Sequence, residues 1–176
     1  MKRMCPVNAV VLGLLLTCLG WQGVALAAEE TPAGSENGIK IDIPVKLEKA
    51  NVVFNMDHLA FMGDKPIGLM YMHLLAKRFE EAGTKGRIIG IFQAKAAYMT
   101  LNDKAYNADR KVSTGNPYKA MIAGLMKQGV QIEECAVSMK GHHWGNVDLL
   151  PGVKVNGGAL ARLIELQQEG YVQIQP

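Results

Sequence analysis

From residue 50 onward, short segments that carry apolar residues in strand-like patterns alternate with longer stretches in which apolar residues recur at helical spacing. The runs at 50–55, 87–92, 130–135, 153–155 and 171–174 predict five strands. Between them lie helical patterns. The first opens at Asp64-Lys65-Pro66, with Ile67, Met70, Tyr71, Leu74, Leu75 and Phe79 as its apolar face. The second opens at Asn116-Pro117 and is carried by Tyr118, Met121, Ile122, Leu125 and Met126. The third covers 157–169, with Leu160, Leu163, Ile164 and Leu166 as packing residues. Proline in a first turn sacrifices no hydrogen bond, because the N–H there has no helical acceptor. Gly83, Gly129 and Gly170 each end a helix and lead into a strand. Shorter helical segments are expected at 93–101 and 138–143. The polar stretch 102–115 reads as the longest loop, on the active side of the domain.

Strands alternating with helices of ten or more residues indicate βαβ crossovers, and hence an α/β domain with a parallel sheet. The unbroken apolar run at 87–92 fits a strand buried on both faces. The domain is expected over 49–176. Residues 28–48 read as an arm: polar at first, then alternating through Ile39, Ile41, Ile43, Val45 and Leu47. Pro44 removes a backbone donor there, so an edge strand, or an extended arm lying on the body or on a neighbouring subunit, is expected.

The first 27 residues follow a different rule. Lys2 and Arg3 precede a mostly apolar run at 7–19, and Ala25-Leu26-Ala27 supplies a small-x-small cleavage site. This is the pattern of a secretory signal peptide cut after Ala27. The apolar run is shorter than the roughly 20 residues that span a bilayer, so stable membrane insertion is not expected. The protein is placed in the periplasm or outside the cell. Of 19 Lys+Arg, two leave with the leader, against 16 Asp+Glu that remain. The near-neutral remainder offers no basic block for nucleic acid.

Cysteine usage narrows the chemistry. Cys5 and Cys18 belong to the leader, so Cys135 alone remains and no intrachain disulfide can form. A lone thiol in an oxidising compartment is a liability unless it is buried or used. A packed core cysteine is the plain alternative. Cys135, however, closes a predicted strand, and ligands of open parallel sheets collect beyond the carboxyl ends of strands. Asn55, Gln93 and Ser138 fall on the same rim and are candidate polar neighbours, Asn55 and Gln93 toward substrate.

A thiolate is the reactive form of cysteine. Backbone N–H groups of a helical turn through Ser138 would favour it, and Lys140, His142 or His143 would add positive charge. His142 and His143 are candidate acid/base groups. Glu133 and Glu134 oppose the thiolate, although on a strand they face opposite ways. Gly157-Gly158 before the last helix offers an N-terminus to an anion. No G-x-G-x-x-G or Walker pattern occurs, and no cofactor is called for. His58, His73, His142, His143, Cys135 and the methionines keep a metal carrier in view, but no compact zinc spacing is present and no metal ligands are assigned.

Three segments carry a family likeness: KANVVFNMDH at the first strand, GNPYKAMIAGLMKQGVQIEECAVSMK, and LLPGVKVNGGALARLIELQQEGYVQIQP. In their order and spacing the chain resembles DsrE/DsrF-like proteins, the sulfur-relay superfamily that includes TusD-like proteins, over about residues 49–176. The pattern Gly129-Val130-x-Ile132-x-x-Cys135 places Cys135 on the position of the sulfur-carrying cysteine of active members. The resemblance implies a three-layer α/β/α domain with a five-stranded parallel sheet, and a homo-oligomer, trimer or hexamer. It also implies a cysteine that accepts sulfur as a persulfide and passes it on. The partners expected are sulfur donor and acceptor proteins or small sulfane-sulfur compounds. This chain departs from the family in its export leader and arm. The sequence therefore predicts an exported sulfur-trafficking protein, a role that depends on the sulfur lying open at the sheet's rim, which the sequence does not settle; its turnover as a sulfurtransferase is left open. The alternatives are a non-enzymatic oligomeric assembly protein and a metal carrier.

Overall fold

The computed structural model describes residues 38–176; the leader and the first part of the arm lie outside them. Five parallel strands form the central sheet in the order β6-β5-β4-β1-β7. They are β1 (Val52–Met56), β4 (Ile88–Phe92), β5 (Gln131–Cys135), β6 (Lys154–Asn156) and β7 (Val172–Ile174). A two-stranded hairpin of β2 (Phe61–Met62) and β3 (Lys65–Pro66) precedes α1 (Ile67–Ala82). The remaining helices are α2 (Asp103–Arg110), α3 (Lys119–Lys127), α4 (Ala136–His142) and α5 (Ala159–Gln168). The architecture is three-layered α/β/α, as expected. Among the described residues no helix is long and apolar enough to cross a membrane.

Side chains alternate across the sheet, and the two cores follow from that alternation. One face carries Val52, Phe54, Met56, Ile88, Phe92 and Ile132, packed against Leu69, Met72 and Phe79 of α1 and Ile122 and Leu125 of α3. The other face carries Val53, Ile89, Ile91 and Cys135 under Ala159, Leu163 and Leu166 of α5. Leu69, Met72 and Leu166 are fully enclosed, and burial of each such side chain contributes ~1.5–3 kcal/mol.

The structure corrects several helix expectations. In α1 the sheet takes Leu69, Met72, Ala76 and Phe79, while Tyr71 and Leu74 are exposed. The helix is apolar on more than one stripe, and spacing alone does not choose between them. In α5 Leu163 and Leu166 pack inward, whereas Leu160 and Ile164 face out. The loop expected over 102–115 contains α2. Its start is fixed by the Asn102 side chain, which accepts the Ala105 N–H at 2.9 Å, and Asp103 and Arg110 sit at the ends that favour their charges. Only Ala105 and Tyr106 of α2 are buried, too few to give a periodic signal. Residues 38–43 contain no strand, and Ile39, Ile41 and Ile43 are exposed. Val45 and Leu47 are exposed as well. The carbonyl of Leu47 accepts Thr84 Oγ1 at 2.6 Å, and Lys49 bridges Lys85.

Gly86 sets the entry into the sheet. Its φ is +150°, and an added Cβ would collide with the backbone carbonyl oxygen of Ala50. That carbonyl cannot move freely, because Ala50 N–H donates to Lys85 at 2.9 Å and Val52 N–H to Arg87 at 2.8 Å. Gly86→Ala is expected to destabilise the domain by ~2 kcal/mol or more, read as a lower midpoint in chemical denaturation.

Candidate functional site

Strand β5 ends at Cys135, and α4 begins at the next residue. The side chain faces α5 and is 3% exposed. The sulfur therefore does not lie open at the rim; it borders a small cavity of about 210 Å³ with Gln93, Ala94, Val137, Ser138 and the start of α5. The strand runs into a helix without a loop, and α5 crosses over its end, so packing covers what topology alone would expose.

Donors converge on this sulfur. Ala159, the first residue of α5, donates its N–H to Sγ at 3.3 Å. The anion expected at Gly157-Gly158 is thus answered from within the chain, by the protein's own sulfur. Ser138 Oγ accepts the Ala94 N–H at 3.0 Å, which leaves the hydroxyl proton available for the thiolate. Ala94 holds this place at φ 48°, in the left-handed region that a side chain disfavours. Burial is the largest single influence on the thiol and pushes its pKa up. The N–H groups of Ser138, Ala159 and Val137, with the Ser138 hydroxyl, outweigh it, and the net pKa lies below the ordinary value.

Neither neighbouring acid undoes this. Glu133 shares the face of Cys135, and Arg162 of α5 grips it, with Nε 3.2 Å from Oε2 and Nη2 3.2 Å from Oε1. Gln131 and Asn156 supply two more donors to the same carboxylate. Glu134 faces the other core and is fully enclosed. Burial raises its pKa from 4.5 to about 9. The hydrogen bonding agrees with a neutral acid. Thr100 Oγ1 lies 2.7 Å from Glu134 Oε2 and 3.0 Å from the Ala97 carbonyl. The hydroxyl has one proton; given to Ala97, it leaves the Glu134 carboxyl to donate its own proton to Thr100. The other oxygen, Oε1, accepts the Cys135 N–H at 3.1 Å.

The remaining candidates divide. Gln93 borders the cysteine cavity and donates to Asn55 Oδ1 at 2.8 Å. Asn55 does not border it; it donates to Gln175 Oε1 at 2.8 Å and so holds the Gln93 amide. Gln175 continues to Asp57 Oδ1 at 2.7 Å, which also meets His58 Nδ1 at 2.6 Å. Burial raises the Asp57 pKa, but His58 and Gln175 prevail and hold the carboxyl below the usual range. His142 borders a second, adjoining cavity, where its ring stacks on Trp144 at 4.3 Å. His143 caps α4 with φ 59° and is exposed, away from the cysteine cavity. Sequence reasoning placed Asp57 and His58 on the rim and an anion at the start of the last helix, but it missed Arg162, Thr100 and Gln175, and it did not foresee that the Ala159 amide would meet Cys135. A backbone donor has no side-chain signature, and the others meet the site only through sheet order. Among the described residues, no three His, Cys, Asp or Glu side chains gather as metal ligands.

Residues 70–176 match the DsrE/DsrF-like family. Among solved structures the chain is similar to MTH1491, a protein of unknown function from Methanobacterium thermoautotrophicum, with a TM-score of 0.56 and 20% identity. That likeness covers 72% of this chain and 99% of the other. The ychN protein from E. coli is similar with a TM-score of 0.50 and 16% identity, again over 72% and 99%. At these identities the likeness is one of fold. No curated protein matches the chain.

Two outcomes follow from the electrostatics. The rate of Cys135 alkylation by iodoacetamide, followed against pH, should show a midpoint lowered from that of the same thiol in the denatured chain, and Ser138→Ala should move it upward. Glu134 has the opposite linkage. Below pH 4.5 both folded and unfolded states hold its proton. Between 4.5 and about 9 only the unfolded state ionises, so this residue lowers stability as pH rises, by up to ~1.4 kcal/mol per pH unit. Glu134→Gln should flatten that slope in denaturation midpoints measured from pH 5 to pH 8.

Proposed function

Because the chain belongs to the DsrE/DsrF-like family, we propose that it is an exported sulfur carrier in which Cys135 accepts sulfane sulfur as a persulfide and passes it to an acceptor. The observation that carries this reading is the set of donors on Sγ. A buried thiol with no task has no need of a backbone N–H at 3.3 Å and a hydroxyl kept free to donate. The same donors suit a persulfide, whose outer sulfur also bears negative charge.

The transfer needs no external oxidant. The Cys135 thiolate attacks the outer sulfur of a donor persulfide, a new S–S bond forms, and the donor's own S–S bond breaks with its electron pair leaving on the donor thiolate. The acceptor step repeats this in reverse sense, with Cys135 as the leaving thiolate. Export is supported by the leader pattern of Lys2, Arg3, the apolar run and Ala25-Leu26-Ala27. A homo-oligomer is supported by Val137, Leu160 and Ile164, which are 62%, 73% and 57% exposed. Val137 and Leu160 stand at the cysteine cavity itself.

Native protein incubated with a sulfane-sulfur donor should gain the mass of one sulfur atom, and dithiothreitol should remove it. Cys135→Ala should gain none. An equal gain in that variant, or none in the wild type, rejects the carrier role. Ile164→Lys should lower the mass measured by light scattering if α5 forms the contact between subunits, and an unchanged mass assigns the contact elsewhere.

A further inference from the structure

A second cavity, of about 520 Å³, adjoins the cysteine cavity. Ala94 and Ser138 border both, and they are joined by the Ala94 N–H to Ser138 Oγ bond at 3.0 Å. The larger cavity has a chemical character of its own. Lys95 and Arg110 bring two cations to it. Arg110 lies over the ring of Tyr98, 4.4 Å from its centroid, a contact that fixes the guanidinium. Trp144 and His142 form a flat stack whose rings lie 13° from parallel. One carboxylate is present: Asp109, 3.9 Å from Arg110 and 3.7 Å from His142. It leaves a net positive charge from Lys95 and Arg110.

From this we infer that the second cavity binds the small-molecule sulfur donor, and that the donor is the persulfide of a low-molecular-weight organic thiol bearing carboxylates. Volume decides the class. Cavities of about 300–1,000 Å³ hold organic ligands, and an inorganic sulfur anion would leave most of this one empty. Lys95 and Arg110 take the carboxylates, the Trp144–His142 stack and Tyr98 take the organic frame, and the sulfur end is directed past Ala94 and Ser138 toward Cys135. The inference rests on the carrier reading of Cys135 and names its substrate. In the reaction R–S–SH + Cys135–S⁻ → Cys135–S–SH + R–S⁻, the transferred sulfur keeps its proton. The donor's S–S bond to that sulfur breaks, and its electron pair stays on the organic thiolate, which leaves within a cationic cavity.

The test uses the full protein with glutathione persulfide, with inorganic polysulfide as a donor that needs no organic subsite. Loading of Cys135 is read by intact mass. In Lys95→Met combined with Arg110→Met, the ratio of the loading rate from glutathione persulfide to that from polysulfide should fall at least tenfold. Binding of S-methylglutathione to Cys135→Ser, read by calorimetry, should weaken at least tenfold when the same two substitutions are added. Unchanged ratio and unchanged binding overturn the inference. Loading from polysulfide alone, without binding of S-methylglutathione, overturns it while the carrier role stands. Binding of S-methylglutathione with no loading from either donor rejects the carrier role and retains the ligand class; absence of both removes the two together.

Discussion

Strand β5 buries Glu133, Glu134 and Cys135 in succession, and the structure around the site answers that constraint. Three ionisable side chains inside a parallel sheet are affordable only if each is neutral, paired or hydrogen-bonded. Alternation along the strand sends them to different places. Glu134 goes into the core beneath α1 and α3, where burial favours its protonated form and it shares a hydrogen bond with Thr100. Glu133 and Cys135 go beneath α5, where Arg162 and the Ala159 N–H meet them from one helix. The position of α5 on the sheet is thus tied to the chemistry of β5. Helix and strand hold each other by an ion pair and a sulfur-directed amide as well as by Leu163 and Leu166.

This division also explains how a thiolate can exist in an enclosed place. Desolvation alone would keep the sulfur protonated. Two nearby carboxylates would do the same if both were charged and free. One is uncharged and on the far face; the other is bound by a guanidinium. What remains near Sγ is a set of fixed N–H and O–H donors. In surroundings of low dielectric these donors count for more than they would in water. The polar chain from Gln93 through Asn55 and Gln175 to Asp57 anchors the Gln93 amide at the cavity without placing another charge on its lining.

Much of this was legible in the sequence, for identifiable reasons. The strands were readable because most are short runs rich in apolar residues that follow a helix ended by glycine. Cys135 at the end of the third strand followed from that reading, and Ser138 and Gln93 line the same cavity. Less legible were the features that depend on which stripe of a helix faces inward. Leu160 and Ile164 have the spacing of core residues yet point away, because α5 meets the sheet through Ala159, Leu163 and Leu166. The exposure of Cys135 was not legible from topology, since only the packing of α5 at the strand end shows that the thiol is covered. The two adjacent histidines looked equivalent in sequence. A left-handed cap at His143 separates them, and only His142 turns to a cavity.

The uneven cover of the two faces of the sheet has a further consequence for the chemistry. On the face of Cys135 a single helix, α5, does the packing, and its outer residues Leu160 and Ile164 remain apolar and exposed. Val137 stands across the same cavity from Leu160. A protein surface laid over these residues would gain from burying them, and it would at the same time exclude water from the cavity below. Exclusion of water strengthens the N–H donors on Sγ and keeps a bound persulfide from thiols in bulk solution. The apolar rim and the polar floor are therefore complementary: the rim favours a cover, and the floor holds the negative sulfur in place once the cover has removed its solvent.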